Sequence, residues 1–182
     1  MKKLLLPILL FCTVALAQQA PPPANAGEAF DRQFSSMEKE FVPLVEAMPA
    51  DKFDFAPTTG EFKGVRTFAT QAKHVATVNY MVASALLGEK PPVDTKSEDG
   101  PADLKTKDQI VKYVKDSFVY THKALATVND KNVMEMISGP FGAKSSRLGL
   151  ASIVTWHSFD HYGQMVVYLR MNGIVPPASR QQ

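Results

Sequence analysis

His157 and His161 stand four residues apart in a stretch with helical periodicity. A step of four turns an α-helix by about 400°, so both imidazoles lie on one face, about 6 Å apart along the axis. Two imidazoles so placed can share one ion, and neutral imidazole nitrogen is a good donor for divalent Zn, Ni or Fe. Two ligands from one helix do not close a site, so a third must come from a facing helix. Of the four histidines in the chain, His74 is the best placed, mid-helix on the border of an apolar face. A histidine on such a face is also commonly a hydrogen-bonded core residue, and spacing alone leaves both readings open. His122 follows Phe118 by four and precedes Leu125 by three, with no ligand-type residue at helical spacing beside it. It reads as a packing or rim residue.

Two glutamines accompany the histidines. Gln164 lies three residues after His161 and shares its face, and Gln71 precedes His74 by three. Either could hold a ligand imidazole in place through a hydrogen bond. Asp160 lies off that line. Peptidase chemistry is disfavoured, because H-E-x-x-H needs a glutamate base directly after the first histidine. Here the run is His157-Ser158-Phe159-Asp160-His161, with serine in that place. No G-x-S-x-G, phosphate-binding glycine loop or zinc-knuckle cysteine pair is present.

The elements that must position these residues are helical. Residues 28–48 carry Phe30, Phe34, Met37, Phe41, Leu44, Val45 and Met48 as one stripe, with Pro43 expected to kink it. A second helix is predicted over 67–87 and stopped by Gly88, a third over 106–128 opened by a Thr106/Gln109 capping box. A fourth, over 146–171, is capped by Ser145 or Ser146 and stopped at Asn172-Gly173, with Leu148, Leu150, Ile153, Val154, Met165, Val166 and Leu169 facing in. Four long helices without a sheet pattern predict an all-α four-helix bundle. The 51–64 connection holds Phe53, Phe55 and Phe62 and is expected to pack over one end of the bundle. The 129–144 connection reads as a turn or a short strand pair.

The ends frame this domain. Residues 1–17 read as a signal peptide: Lys2 and Lys3, an apolar run, then Ala15-Leu16-Ala17. Residues 18–27 are a Pro-rich tether, 28–177 the bundle and 178–182 a tail. Of 20 Lys+Arg and 18 Asp+Glu, the signal holds Lys2, Lys3 and no acid, which leaves 18 of each. A neutral mature chain offers nothing for nucleic acid or an anionic membrane surface. The only cysteine, Cys12, leaves with the signal, so neither a disulfide nor a thiol nucleophile remains. The expected protein is exported, periplasmic or secreted, with no stable membrane anchor after cleavage.

The helix FATQAKHVATVNYMV, followed far downstream by HSFDHYGQMVVYLRMNGIVPP, resembles the DinB-like family of bacterial metal-binding four-helix bundles. MPADKFDFAP resembles that family's stretch between helices one and two. The resemblance implies a divalent metal between His74, His157 and His161, an up-down-down-up bundle and a homodimer. Some relatives are transferases or isomerases that use a cytoplasmic low-molecular-weight thiol, a chemistry that the export signal removes from this chain. Three histidines with no carboxylate or thiolate leave the ion its full charge and an open position, where a water is acidified toward neutral pH. The leading expectation is a metal-dependent hydrolase or transferase acting on an unknown small molecule, entered beside the aromatic loop. The alternative is a non-catalytic metal- or small-ligand-binding module.

Overall fold

The computed structural model describes residues 20–180; the predicted signal peptide lies outside them, as do Gln181 and Gln182 at the end of the predicted tail. Four helices carry the fold: α1 (Ala26–Ala47), α2 (Phe68–Leu87), α3 (Lys107–Leu125) and α4 (Arg147–Met171). The cap residues explain where each starts. The Thr67 hydroxyl accepts from Thr70 N at 3.1 Å and the Ser146 hydroxyl from Gly149 N at 3.1 Å. Thr106 and Gln109 form the reciprocal capping box. Gly88 closes α2 in the left-handed conformation at φ 71°, which a side chain would strain.

α1 begins two residues ahead of the predicted start. The Asn25 side chain caps it by accepting from Glu28 N at 3.0 Å, and Asp130 Oδ1 accepts from Ala26 N at 2.9 Å. Gly27 makes this entry possible: a Cβ there would stand 2.1 Å from the carbonyl oxygen of Val128. At the other end Lys107 Nζ donates to the Glu46 and Met48 carbonyls at 2.6 and 2.8 Å, neutralising the last turn of α1. The helix continues through Pro43 to Ala47.

These ties also give the topology. The start of α1 meets the end of α3 and its end meets the start of α3, so the two run antiparallel. Thr77 pairs with Tyr113, and Ser84 with Tyr120, so α2 and α3 run parallel. Gln71 meets His161 and the Leu86 carbonyl meets Arg147, so α2 and α4 are antiparallel. The bundle is up-down-down-up.

α2 is its most enclosed helix, with Phe68, Ala72, Val75, Val82 and Leu86 in the core against Phe34, Phe41, Phe118 and Met165. Phe34 and Phe118 stack with centroids 4.7 Å apart. The connection predicted over 129–144 forms a short hairpin that runs on to Ser146, Met136–Ser138 paired antiparallel with Lys144–Ser146. α4 differs from its prediction in one respect. Leu148, expected inside, is 42% exposed and joins Trp156, Phe159 and Val167 on the outer side. Its inner turn is occupied by Leu150, Ala151 and Val154 instead.

Candidate metal centre

His74 projects from the middle of α2, while His157 and His161 occupy successive turns of α4. The antiparallel packing of the two helices brings all three together. One ring nitrogen from each lies within 4.8 Å of the others, and the ring centroids are separated by 4.7 to 5.0 Å. His74 and His161 are buried and His157 half-buried.

Hydrogen bonds orient two of the rings. His74 Nδ1–H donates to the Glu98 carbonyl at 2.9 Å, and His161 Nδ1–H donates to Gln71 Oε1 at 3.0 Å. Both Nε2 atoms therefore carry a lone pair toward the gap between the helices. His74 Nε2 and His157 Nε2 are 3.1 Å apart. Two nitrogens bound to one tetrahedral zinc are separated by about 3.3 Å. The opposite atom of His157, Nδ1, is buried without a partner. Neither tautomer of His157 satisfies Nδ1 among the described residues, and an ion on Nε2 would fix the Nδ1–H tautomer.

Electrostatics keep the cluster uncharged. Burial pushes His157 down to about 3, helped by His161, His74 and Arg66. Burial pushes His161 down to about 4, with His74 and Arg66 adding and Asp160 opposing. His74 is lowered by burial, against its bond to the Glu98 carbonyl. Three neutral imidazoles near pH 7 form a donor set able to chelate a divalent metal ion.

Gln71 and Gln164 do different things. Gln71 bonds His161, whereas Gln164 Nε2 donates to Asp160 Oδ2 at 3.2 Å and touches no histidine nitrogen. Both line a cavity of about 400 Å³ that opens beside His161, together with Gly64, Val65, Arg66 and Asp99. The aromatic loop holds the entry to α2: Phe53 and Phe55 carbonyls accept from Ala69 N and Phe68 N at 2.8 and 2.9 Å. None of Phe53, Phe55 and Phe62 lines the cavity, and Phe62 is exposed. Its wall comes from Gly64–Arg66, at the end of the same connection. Arg66 and the Glu98 carbonyl escaped sequence reasoning, because each comes from a loop whose path only the fold defines.

His122 stands apart from this cluster. Its Nδ1 meets Asp31 Oδ1 at 2.5 Å and its Nε2 meets Glu38 Oε2 at 3.1 Å, both carboxylates belonging to α1. It bridges two helices as well as packing edge-on against Phe34.

The family model of the DinB superfamily matches residues 33–165. The chain belongs to the DinB superfamily. Solved DinB-like proteins share its fold. One from Bacillus cereus ATCC 10987 has a TM-score of 0.67 at 20% identity, over 82% of this chain and 95% of that one. One from Bacillus subtilis has a TM-score of 0.63 at 18% identity, over 85% of this chain and 99% of that one. No curated protein matches the chain. Within this DinB-like bundle the buried histidine triad lies where α2 faces α4.

Proposed function

We propose that the chain is an exported metal-binding module. It would hold one divalent ion through His74, His157 and His161 and present that ion's open position to a small molecule. The observation that carries this reading is the convergence of three neutral imidazoles, with no carboxylate or thiolate among the described residues to complete the shell. Gln71 supports it from behind His161. Gln164 holds the cavity rim through Asp160. Bound there, the ion supplies Lewis acidity. The cavity beside His161 favours a second reading, a hydrolase or transferase acting on a small substrate.

Metal analysis of untagged protein tests the site, beside the triple variant His74, His157, His161→Ala. We expect about one equivalent of a divalent transition metal in the wild type and none in the variant; equal contents would sink the reading. Turnover of ester, amide or phosphoester panels by the loaded wild type alone would favour the enzyme over the module.

Export rests on residues 1–17, and the mass of the recovered extracytoplasmic protein checks it, with Gln18 as the expected first residue. A second copy of this chain is the partner we propose for the outer face of α4. Leu148, Trp156, Phe159 and Val167 form an exposed apolar row there, and a Cβ at Gly163 would meet nothing within 4 Å. That opening gives two copies of the helix room to cross closely.

A further inference from the structure

The cavity wall beside His161 carries an arrangement of charge that holding the ion does not require. Arg66 Nε donates to Asp99 Oδ1 at 2.7 Å, and its Nη2 lies 3.9 Å from Glu98 Oε2. The Arg66 carbonyl accepts from the Tyr168 hydroxyl at 3.2 Å, which ties this loop residue to α4. The guanidinium is thus anchored on one edge by Asp99, and the residue lines the cavity with a side chain 35% exposed. Gln71 stands in the same wall, only 2% exposed. Its oxygen is committed to His161, and among the described residues its NH₂ has no hydrogen-bond acceptor, so it is free to serve the cavity that Gln71 lines.

The charge balance defines what would fit. Neutral imidazoles leave a bound ion its two positive charges, and Arg66 and Asp99 cancel. Glu98 and Asp160 are exposed, and water and salt screen them. Any anion there is drawn by the ion and opposed by Asp99 and, more weakly, by the exposed Glu98 and Asp160, and that repulsion on a monoanion is half that on a dianion. The planar guanidinium matches a carboxylate in shape and in donor spacing.

We propose, resting on the metal reading above, that the cavity recognises small monocarboxylates. Arg66 and the Gln71 amide bind the carboxylate beside the ion.

Cobalt(II) loaded into the purified protein provides the probe, because its visible absorption responds to a change of ligand without any turnover. Acetate should change the spectrum saturably, while acetamide and inorganic phosphate at equal concentration should bind more weakly. Arg66→Gln should weaken acetate by about tenfold or more. Arg66→Lys should recover part of that loss, and Asp99→Asn, which frees the guanidinium, should tighten acetate. Cobalt stoichiometry should stay at the wild-type value in all three. Loaded wild type that ignores acetate, binds phosphate more tightly, or shows equal acetate affinity in Arg66→Gln overturns the carboxylate assignment alone. Wild type that takes up no cobalt overturns the metal reading and this inference with it. A purely structural role for Arg66 would make Arg66→Gln and Asp99→Asn change acetate binding in the same direction, which also overturns it.

Discussion

Two imidazoles of the triad, His74 and His161, each have a hydrogen-bond acceptor of their own. His161 depends on a single side chain, Gln71, for its tautomer and its aim. Gln71→Leu would keep the volume and remove the acceptor. Loss of such a supporting partner typically costs about 10- to 100-fold in metal affinity, so competition against a chromophoric chelator should show a drop of that size while the helical circular dichroism is kept. Asn79 poses the opposite case. It is 0% exposed on α2, and neither its Oδ1 nor its Nδ2 has a hydrogen-bond partner. An unpaired buried amide costs about 1–3 kcal/mol. Asn79→Leu should therefore raise the melting temperature of the metal-free protein, and a lower one would show that the amide has a partner in solution. At this scale the sequence was only partly legible. The step of four between His157 and His161 is local, so it could be read directly. The bond from Gln71 to His161 crosses 90 positions, and Asn79 looked no different from any polar residue on a helix border.

Among the elements, caps and stripes were the readable part, because each is decided within one turn of chain. Thr106 with Gln109, Ser146 and Gly88 all occupy the cap positions that their residue types predict. Contacts between helices were not readable. Lys107 on the carbonyls of α1 and His122 between Asp31 and Glu38 join residues that only the antiparallel packing of α1 and α3 brings close. Leu148 was misplaced because α4 is apolar on more than one side, so periodicity could not say which side faces the core. The His122 bridge carries a pH dependence. Burial opposes its charge, but the hydrogen bonds its ring N–H groups donate to Asp31 and Glu38 prevail and raise its pKa above the ordinary value. Its stabilising contribution is thus complete below about pH 6.5, the unfolded value, and is lost as pH rises through the raised folded value. Calorimetry of wild type and His122→Gln should show the gap in melting temperature shrinking between about pH 6 and pH 9. A gap that widens would reverse the sign of the coupling.

For the whole molecule, the bundle class agrees with the four helical segments read from the sequence, while the long connections left the helix order open and the family resemblance alone implied it. The outer face of α4 is apolar and exposed in the single chain. Trp156 is 57% exposed at its centre, flanked by Phe159. If this face joins two copies, sedimentation velocity should give a dimer for wild type and a monomer for Trp156→Glu, with the metal content unchanged. A monomeric wild type at tens of micromolar would remove the second copy as partner.

The bond from His74 to the Glu98 carbonyl has a consequence for how this protein tolerates change. The acceptor is a main-chain oxygen, so no exchange of side chain at position 98 deletes it. Alanine substitutions from Glu89 to Glu98 should leave the aim of His74 untouched and would score that stretch as dispensable for it. Removing one residue between Gly88 and Glu98 would draw the carbonyl away from the ring. The genetic vulnerability of this ligand lies in the length of a loop and hardly at all in its spelling, so drift in composition there is cheap while insertions and deletions are not.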